Sequence, residues 1–479
     1  MTSARSLFRP EFQPPWTGQE QVSTLALSRL DRRERTVLIE QIAGGKALPE
    51  EVVAQITERT DGVPLFVEEL TKNVLESGLL REEADHYVLD GALPAIAIPT
   101  SLHASLLARL DRLASARLVA QIGAAIGREF PYTLLHAVSG YPEGELRAAL
   151  TRLVASELVL QRGMPPDAAY TFKHALVQEA AHGSLLRNTR QQLHAEIGET
   201  LEAYSPETME DQPELLAQHY AEAALGEKSI AYWGKAGRRS IARSAMAEAV
   251  AQFQKGLEQL ALLPDSPKRQ RQELEFCSFL GAVLIAVKGY AAPETGHAYA
   301  RARELWEQLG FPSEFLGAPY GQSTYHAQRG EFDRAQRLAE DLLRLSRQRN
   351  DSAGLVLSHF SAGRNLMFVG NLASSRSHLK QVLALCDPVS HHSIVHQAGI
   401  HPRVGSQAYL GAVLLCLGFP NRASAQSQRA IAEAQRMAHP PSLAVSLSVG
   451  TLKLTRFRGA RQAFNGGFSD AQDASALFT

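Results

Sequence analysis

The side chains able to do chemistry gather in a few places. His391, His392, His396 and His401 lie close to Cys386, and imidazole and thiolate are ligands of Zn²⁺. Their spacing matches no recognised zinc pattern, so they read as polar loop residues and no metal is expected. Gly44-Gly45-Lys46 has the composition of a phosphate-loop ending. That loop, however, needs glycine where Glu40 stands and a hydroxyl where Ala47 stands. Neither Gly-x-x-x-x-Gly-Lys-Ser/Thr nor the nucleophile elbow Gly-x-Ser-x-Gly occurs in the 479 residues. No catalytic residue is assigned, and the chain is expected not to be an enzyme. A helix over Glu143 to Leu153 could lie in a DNA groove, but Glu143 and Glu145 offset Arg147 and Arg152. That makes a poor phosphate-binding face, and packing inside the protein is the better reading.

Forty-nine Lys and Arg nearly cancel 50 Asp and Glu, so no overall field draws the chain to nucleic acid or to an anionic membrane. Three cysteines, Cys277, Cys386 and Cys416, sit far apart in apolar helical patterns, where a free thiol behaves as a small hydrophobe. A reducing compartment and a cytoplasmic location follow as expectations. No apolar run reaches the roughly 18 residues of a membrane span, so no membrane partner is expected.

The length suggests about three units. Asp31 can cap a helix that runs to Gly44-Gly45, Pro49 can open a second over Glu50 to Arg59, and Leu65 to Leu75 forms a third. The run Val22 to Leu27 is a strand candidate. A small hairpin between Gly78 and Gly91 marks a boundary. Helical runs then cover Leu102 to Leu113, Leu118 to Ile126, Thr133 to Val138 and Glu143 to Ser156, with strand candidates at Leu158 to Gln161 and Tyr170 to Phe172. Helices followed by two strands give a winged-helix reading. A long helical run starts at Leu193.

In the C-terminal half a glycine recurs just before an amphipathic helix, in Gly330-Glu331-Phe332, Gly370-Asn371-Leu372 and Gly418-Phe419-Pro420. The intervals exceed the strict tetratricopeptide period of about 34 residues but suit helix hairpins with longer loops. Ala335, Leu338, Ala339, Leu342 and Leu345 share one stripe after Phe332, and Ala245 to Leu263 has the same character. Each hairpin leaves an apolar face for its neighbour, so the half from about Pro213 to Leu454 reads as a helical stack.

Arg59-Thr60-Asp61-Gly62-Val63-Pro64-Leu65-Phe66-Val67-Glu68-Glu69-Leu70 resembles the Gly-x-Pro segment of signal-transduction ATPases with numerous domains. Phe8 to Trp16, Ala125 to Phe130, Phe172 to Ala181 and Lys288 to Glu294 are similar to one bacterial subfamily, in which a class III adenylate/guanylate cyclase domain commonly precedes the ATPase and tetratricopeptide-like repeats follow. The resemblance covers about Leu7 to Leu454. It implies a fold that is mainly α: residues 1–78 a truncated ATPase remnant with its helical lid, 79–192 a winged-helix-like domain, 193–461 tetratricopeptide-like repeats and 462–479 an irregular tail. The family's phosphate loop and cyclase domain would lie upstream of the stretch matching Phe8, and the family continues with more repeats beyond Gln462, so the chain is expected to be a fragment.

By the same resemblance Arg9 matches the sensor arginine that reports on the γ-phosphate, Pro64 the proline that packs on adenine, and His174 the wing histidine near the ADP phosphates. ATP or ADP with Mg²⁺ would serve the parent family; none is expected for this chain. The expected function is a regulatory, protein-interaction fragment of a cyclase-linked signalling ATPase. A protein or peptide partner would bind on the concave face of the repeats, and the N-terminal edge would favour self-association. The alternatives are part of an ATP-binding cyclase switch enzyme and a DNA-binding transcriptional regulator.

Overall fold

The computed structural model describes residues 28–89, 99, 101–204, 210–387 and 399–451. Arg9, the stretch Phe8 to Trp16, the strand expected over Val22 to Leu27, His391, His392, His396 and the tail from Gln462 lie outside the described residues. The chain divides into two compact units, Met1–Thr200 and Leu201–Thr479. The boundary expected near Leu193 falls inside a continuous helix, α9 (Arg187–Tyr204).

In the first unit Asp31 caps α1 (Arg32–Ile42) through a reciprocal box with Glu34, each backbone N–H donating to the other's carboxylate at 2.8 Å. Pro49 stands at the N-cap of α2 (Glu50–Thr60), one place ahead of its expected first-turn position. After α3 (Pro64–Leu75), Ile39, Val52, Ile56, Val67, Leu70 and Val74 close a small core. The hairpin β1 (Leu80–Glu82) and β2 (Tyr87–Leu89) forms where it was expected, as an antiparallel pair.

The rest of this unit runs α4 (Leu102–Arg112), α5 (Ser115–Ile126), β3 (Glu129–Pro131), α6 (Tyr132–Ser139), α7 (Glu143–Ala155), β4 (Val159–Arg162), β5 (Ala169–Phe172) and α8 (Ala175–Gly183). Two strands were expected; the sheet has three, with β5 between β3 and β4 and all pairs antiparallel. β3 is three residues long and ends in proline, so it shows no alternation in the sequence. Its pairing with β5 and the buried Phe130 ring hold it in place. Gly123 on α5 makes room for that ring, since a Cβ there would lie 2.8 Å from it.

The second unit is a stack of helices: α10 (Pro213–Glu222), α11 (Gly226–Ala242), α12 (Met246–Ala261), α13 (Pro267–Lys288), α14 (Pro293–Gln308), α15 (Gly317–Gln328), α16 (Phe332–Arg349), α17 (Ser352–Phe368), α18 (Leu372–Leu385), α19 (Pro402–Cys416), α20 (Pro420–Arg436) and α21 (Pro440–Val445). From α10 to α20 each helix packs on the next. α13, α15, α17 and α19 also touch across the hairpins, α13 with α15, α15 with α17 and α17 with α19. Among the described residues α12, α14, α16 and α18 make no comparably close approach to one another. The crowded set forms the inner layer.

One turn joins most of these helices. A residue in the left-handed region ends the helix, and the next N–H donates to the carbonyl five residues back, as Glu331 does to His326, Asn371 to Leu366 and Phe419 to Leu414, all at 2.9 Å. Gly330, Gly370 and Gly418, the glycines that recur before the amphipathic helices, take the left-handed position. Ala224, Ser244 and Ala438 take it without glycine, at φ of 58°, 59° and 49°. Between helices, Ser229, Ser323 and Ser375 donate to the carbonyls of Ala217, Ala335 and Gly363 on the facing helix at 2.7–2.9 Å. Small residues bring the helices together: Ala335, on the expected stripe, is fully buried, and so are Ala423 and Ala430. Cys277 and Cys386 are buried as predicted, whereas Cys416, at the last residue of α19, is exposed.

Candidate functional site

The Gly-x-Pro segment is a packed turn. Asp61 and Gly62 are both left-handed, and the Gly62 carbonyl accepts the Leu30 N–H at 2.8 Å. A Cβ on Gly62 would lie 2.4 Å from the Leu30 carbonyl oxygen, so glycine is required by space as well as by backbone conformation. Pro64 opens α3 and lines a shallow, mostly apolar cleft of about 470 Å³ with Leu30, Val37 and Leu38.

His174 occupies the N-cap position of α8, without a side-chain capping bond, and is not among the residues lining that cleft. It approaches Glu68 and Glu69 on α3 closely enough for all three to reach a common point, and its buried Nε2 makes no hydrogen bond. The carboxylates there are already matched by cations. Glu68 and Glu157 both accept from Lys72 and Lys173 at 2.6–3.1 Å. Those hydrogen bonds pull the Glu157 carboxyl down to about 2, and they hold Glu68 below its ordinary value although burial works the other way. Glu69 pairs with Arg109, which also donates to Glu76 at 2.9 and 3.1 Å and to the Ser156 carbonyl at 2.7 Å. A metal ion would have to displace these cations, so we read the cluster as a clamp joining α3, α4 and the end of α7. On α7, Arg147 pairs with Glu143 and Arg152 donates to the Leu113 carbonyl, so neither is reserved for phosphate.

His401, the described member of the C-terminal histidine group, is buried at the N-cap of α19.

In the second unit the inner layer carries a polar centre that sequence reading missed. Ser323 on α15 and Ser361 on α17 have hydroxyl oxygens 2.8 Å apart, and Asn365 Nδ2 reaches Ser323 Oγ at 3.5 Å. Beside them Arg364 is only 4% exposed. Its Nη1 donates to Thr324 Oγ1 at 3.2 Å, its Nε and Nη2 share Asn365 Oδ1 at 3.4 Å, and its guanidinium lies 5.7 Å from the centre of the Tyr320 ring. Tyr290 and Tyr409 complete the surround. Burial raises both phenols; Tyr320 raises the Tyr290 phenol further, and the Arg364 guanidinium opposes the rise in each. The Tyr290 side chain comes from the Gly289–Ala292 connection between α13 and α14 and is 43% exposed. Among the described residues no carboxylate pairs with Arg364. Desolvating an ion costs several kcal/mol, and a buried stack on an aromatic ring contributes about 2 kcal/mol. Stacking alone does not offset the burial.

Arg364 was hidden in the sequence because a lone arginine in a helix ordinarily faces water. The available signal was its setting: Ser352–Phe368 is apolar on nearly every side, and such a helix lies inside.

A family model described as a domain of unknown function (DUF8739) matches residues 31–86, the segment that holds α1 to α3 and β1 and ends just before β2. An uncharacterized protein, R02095, of Rhizobium meliloti (strain 1021) is 28% identical over 306 residues, covering 62% of this chain. The chain matches only 29% of that relative's length. Among solved structures, the signal-transduction ATPase with numerous domains (STAND) protein with a tetratricopeptide repeat sensor, PH0952, from Pyrococcus horikoshii superposes with a TM-score of 0.37 and 12% identity, over 94% of this chain and 67% of that one. NprR in complex with its cognate peptide NprX gives 0.39 and 10%, over 78% and 89%. The mainly α, helical-hairpin architecture rests on the chain's own helices. No described helix is long and apolar enough to cross a membrane.

Proposed function

We propose that this chain is a regulatory interaction module whose helical stack takes a protein or peptide partner on its inner layer. The supporting observation is the polar and aromatic centre on α15, α17 and α19. A layer serving only as packing would be apolar there, yet Arg364, Asn365, Tyr320 and Tyr409 meet at the point where alternate helices touch. These side chains are buried, and the half-exposed Tyr290 is where the centre comes nearest to solvent, so a partner would enter beside it. The test is to incubate the full chain with an immobilised array of random hexapeptides and then map hydrogen exchange with a captured peptide. Protection centred on α15, α17 and α19 is expected. Capture of no peptide, or protection confined to the first unit, would refute the reading.

The first unit is proposed as the lid and winged helix of a signalling ATPase linked to a cyclase, and the chain itself as catalytically incomplete. The motif resemblance supports this, as does the strand and helix order α4-α5-β3-α6-α7-β4-β5, a winged-helix connectivity. Reading the coding sequence that precedes Met1 tests the linkage. A DNA-binding reading gains nothing from α7, whose arginines are engaged within the unit.

A further inference from the structure

Two arginines in this protein are buried to almost the same degree and are met in opposite ways. Arg109, 2% exposed, has two carboxylates and a backbone carbonyl. Arg364, 4% exposed, has one hydroxyl and one amide oxygen, the latter shared by two of its nitrogens at a long 3.4 Å. A guanidinium has five N–H donors in a planar fork, so part of the Arg364 fork has no acceptor among the described residues. What the fork fits best is a carboxylate, taken through two parallel hydrogen bonds.

We propose that Arg364 is the specificity-determining residue of the inner layer and recognises a carboxylate of the partner peptide. Thr324 and Asn365 hold the plane of the fork, and Tyr320 backs it. Tyr290 is the side chain that can give way. It sits on the α13–α14 connection, which has four residues where α11–α12, α15–α16, α17–α18 and α19–α20 have three, and it is half-exposed while Tyr320, Arg364 and Tyr409 are buried. The position suits a single negative charge. Arg364 lies near the C-terminal end of α17 and Thr324 near that of α15, and these helix ends are partly negative. A doubly charged phosphate would meet one cation and two unfavourable dipoles. A carboxylate is matched by the one guanidinium.

The inference rests on the peptide-binding reading above, and the experiment separates the two. Peptides captured by the full chain are resynthesised in three forms: N-acetylated with a free C-terminal acid, the same sequence amidated, and amidated with every Asp and Glu replaced by Asn and Gln. Loss of the carboxylate should weaken binding about ten- to hundredfold. The amidated arm shows whether the C-terminus or a side chain supplies it. Arg364→Gln should bind all three forms alike, with a thermal midpoint close to that of the parent chain. Should that variant fail to fold, Thr324→Val, which withdraws one partner of the fork, should still narrow the difference between forms. Equal binding of charged and neutral peptides by the parent chain overturns the inference and leaves the peptide-binding reading standing, as does a difference that survives in a folded Arg364→Gln chain. Capture of no peptide overturns both.

Discussion

Ser323 and Ser361 face each other from α15 and α17 with their hydroxyl oxygens 2.8 Å apart, and the two are not equivalent. Ser323 also donates to the Ala335 carbonyl on α16 at 2.9 Å, so Ser361 must donate to Ser323. Removing Ser323 therefore strips partners from Ala335, Ser361 and Asn365 at once. Ser323→Ala should cost about 1–3 kcal/mol, since it leaves buried polar groups unpaired. Ser361→Ala should cost less, because Ser323 keeps its carbonyl. Urea unfolding of the two variants checks the order, and a reversed order would refute this donor assignment.

The helix-ending turns make a reciprocal prediction. Ala224 and Ser244 hold left-handed backbone that favours glycine, while Gly330 and Gly370 have open space where a Cβ would go. Ala224→Gly and Ser244→Gly should stabilise the stack by about 1 kcal/mol each, and Gly330→Ala should destabilise it by a similar amount. Thermal midpoints moving the same way in both sets would show that side-chain contacts, rather than backbone handedness, govern these turns.

Acid should weaken the second unit early. His359 and His378 have Nδ1 atoms 3.0 Å apart, and burial first, then His378 and Arg347, push the His359 imidazole down to about 4 from an ordinary 6.5. The unfolded chain binds the proton between those values and the folded chain does not. The associated stability is therefore complete above pH 6.5 and is lost as pH falls towards 4. Calorimetric scans at pH 7, 5.5 and 4.5 should show a falling midpoint. His359→Gln should flatten the fall.

Thiol chemistry should separate the three cysteines. Burial pushes the Cys277 thiol up to about 12 and raises that of Cys386, and the thiolate is the reactive species. Under native conditions iodoacetamide should modify Cys416 alone. Peptide mapping that found Cys277 alkylated as fast as Cys416 would contradict the packing of α13.

Mg-ATP should bind weakly or not at all, because the backbone cradle that supplies most phosphate contacts is missing from the sequence. Isothermal titration provides the check. A micromolar dissociation constant that Pro64→Ala or His174→Ala abolished would mean that the cleft beside α1 and the His174 position suffice without it.

The hairpin stack was readable wherever the sequence had to spend a glycine on left-handed backbone, at Gly330, Gly370 and Gly418. It was opaque at Ala224, Ser244 and Ala438, which take the same conformation with nothing in their residue types to announce it. The first unit was legible through Asp31 with Glu34 and through Pro64, whose roles are local. β3 was not, since pairing with a strand far along the chain creates it. The inner-layer centre could be found only once α17 was known to be enclosed. Arg364 and Tyr320 are far apart in the sequence, and no periodicity links them.

The contact pattern of the stack has a mechanical meaning. Helices α13, α15, α17 and α19 brace one another across the hairpins, while α12, α14, α16 and α18 do not to the same extent. The inner layer is thus the stiff pivot line and the outer rim the part that can spread, as the ribs of a fan spread about their rivet. A wedge at the pivot, where Arg364 lies between α15 and α19, would displace little locally and be magnified at the rim, giving the stack a lever with its short arm at the polar centre.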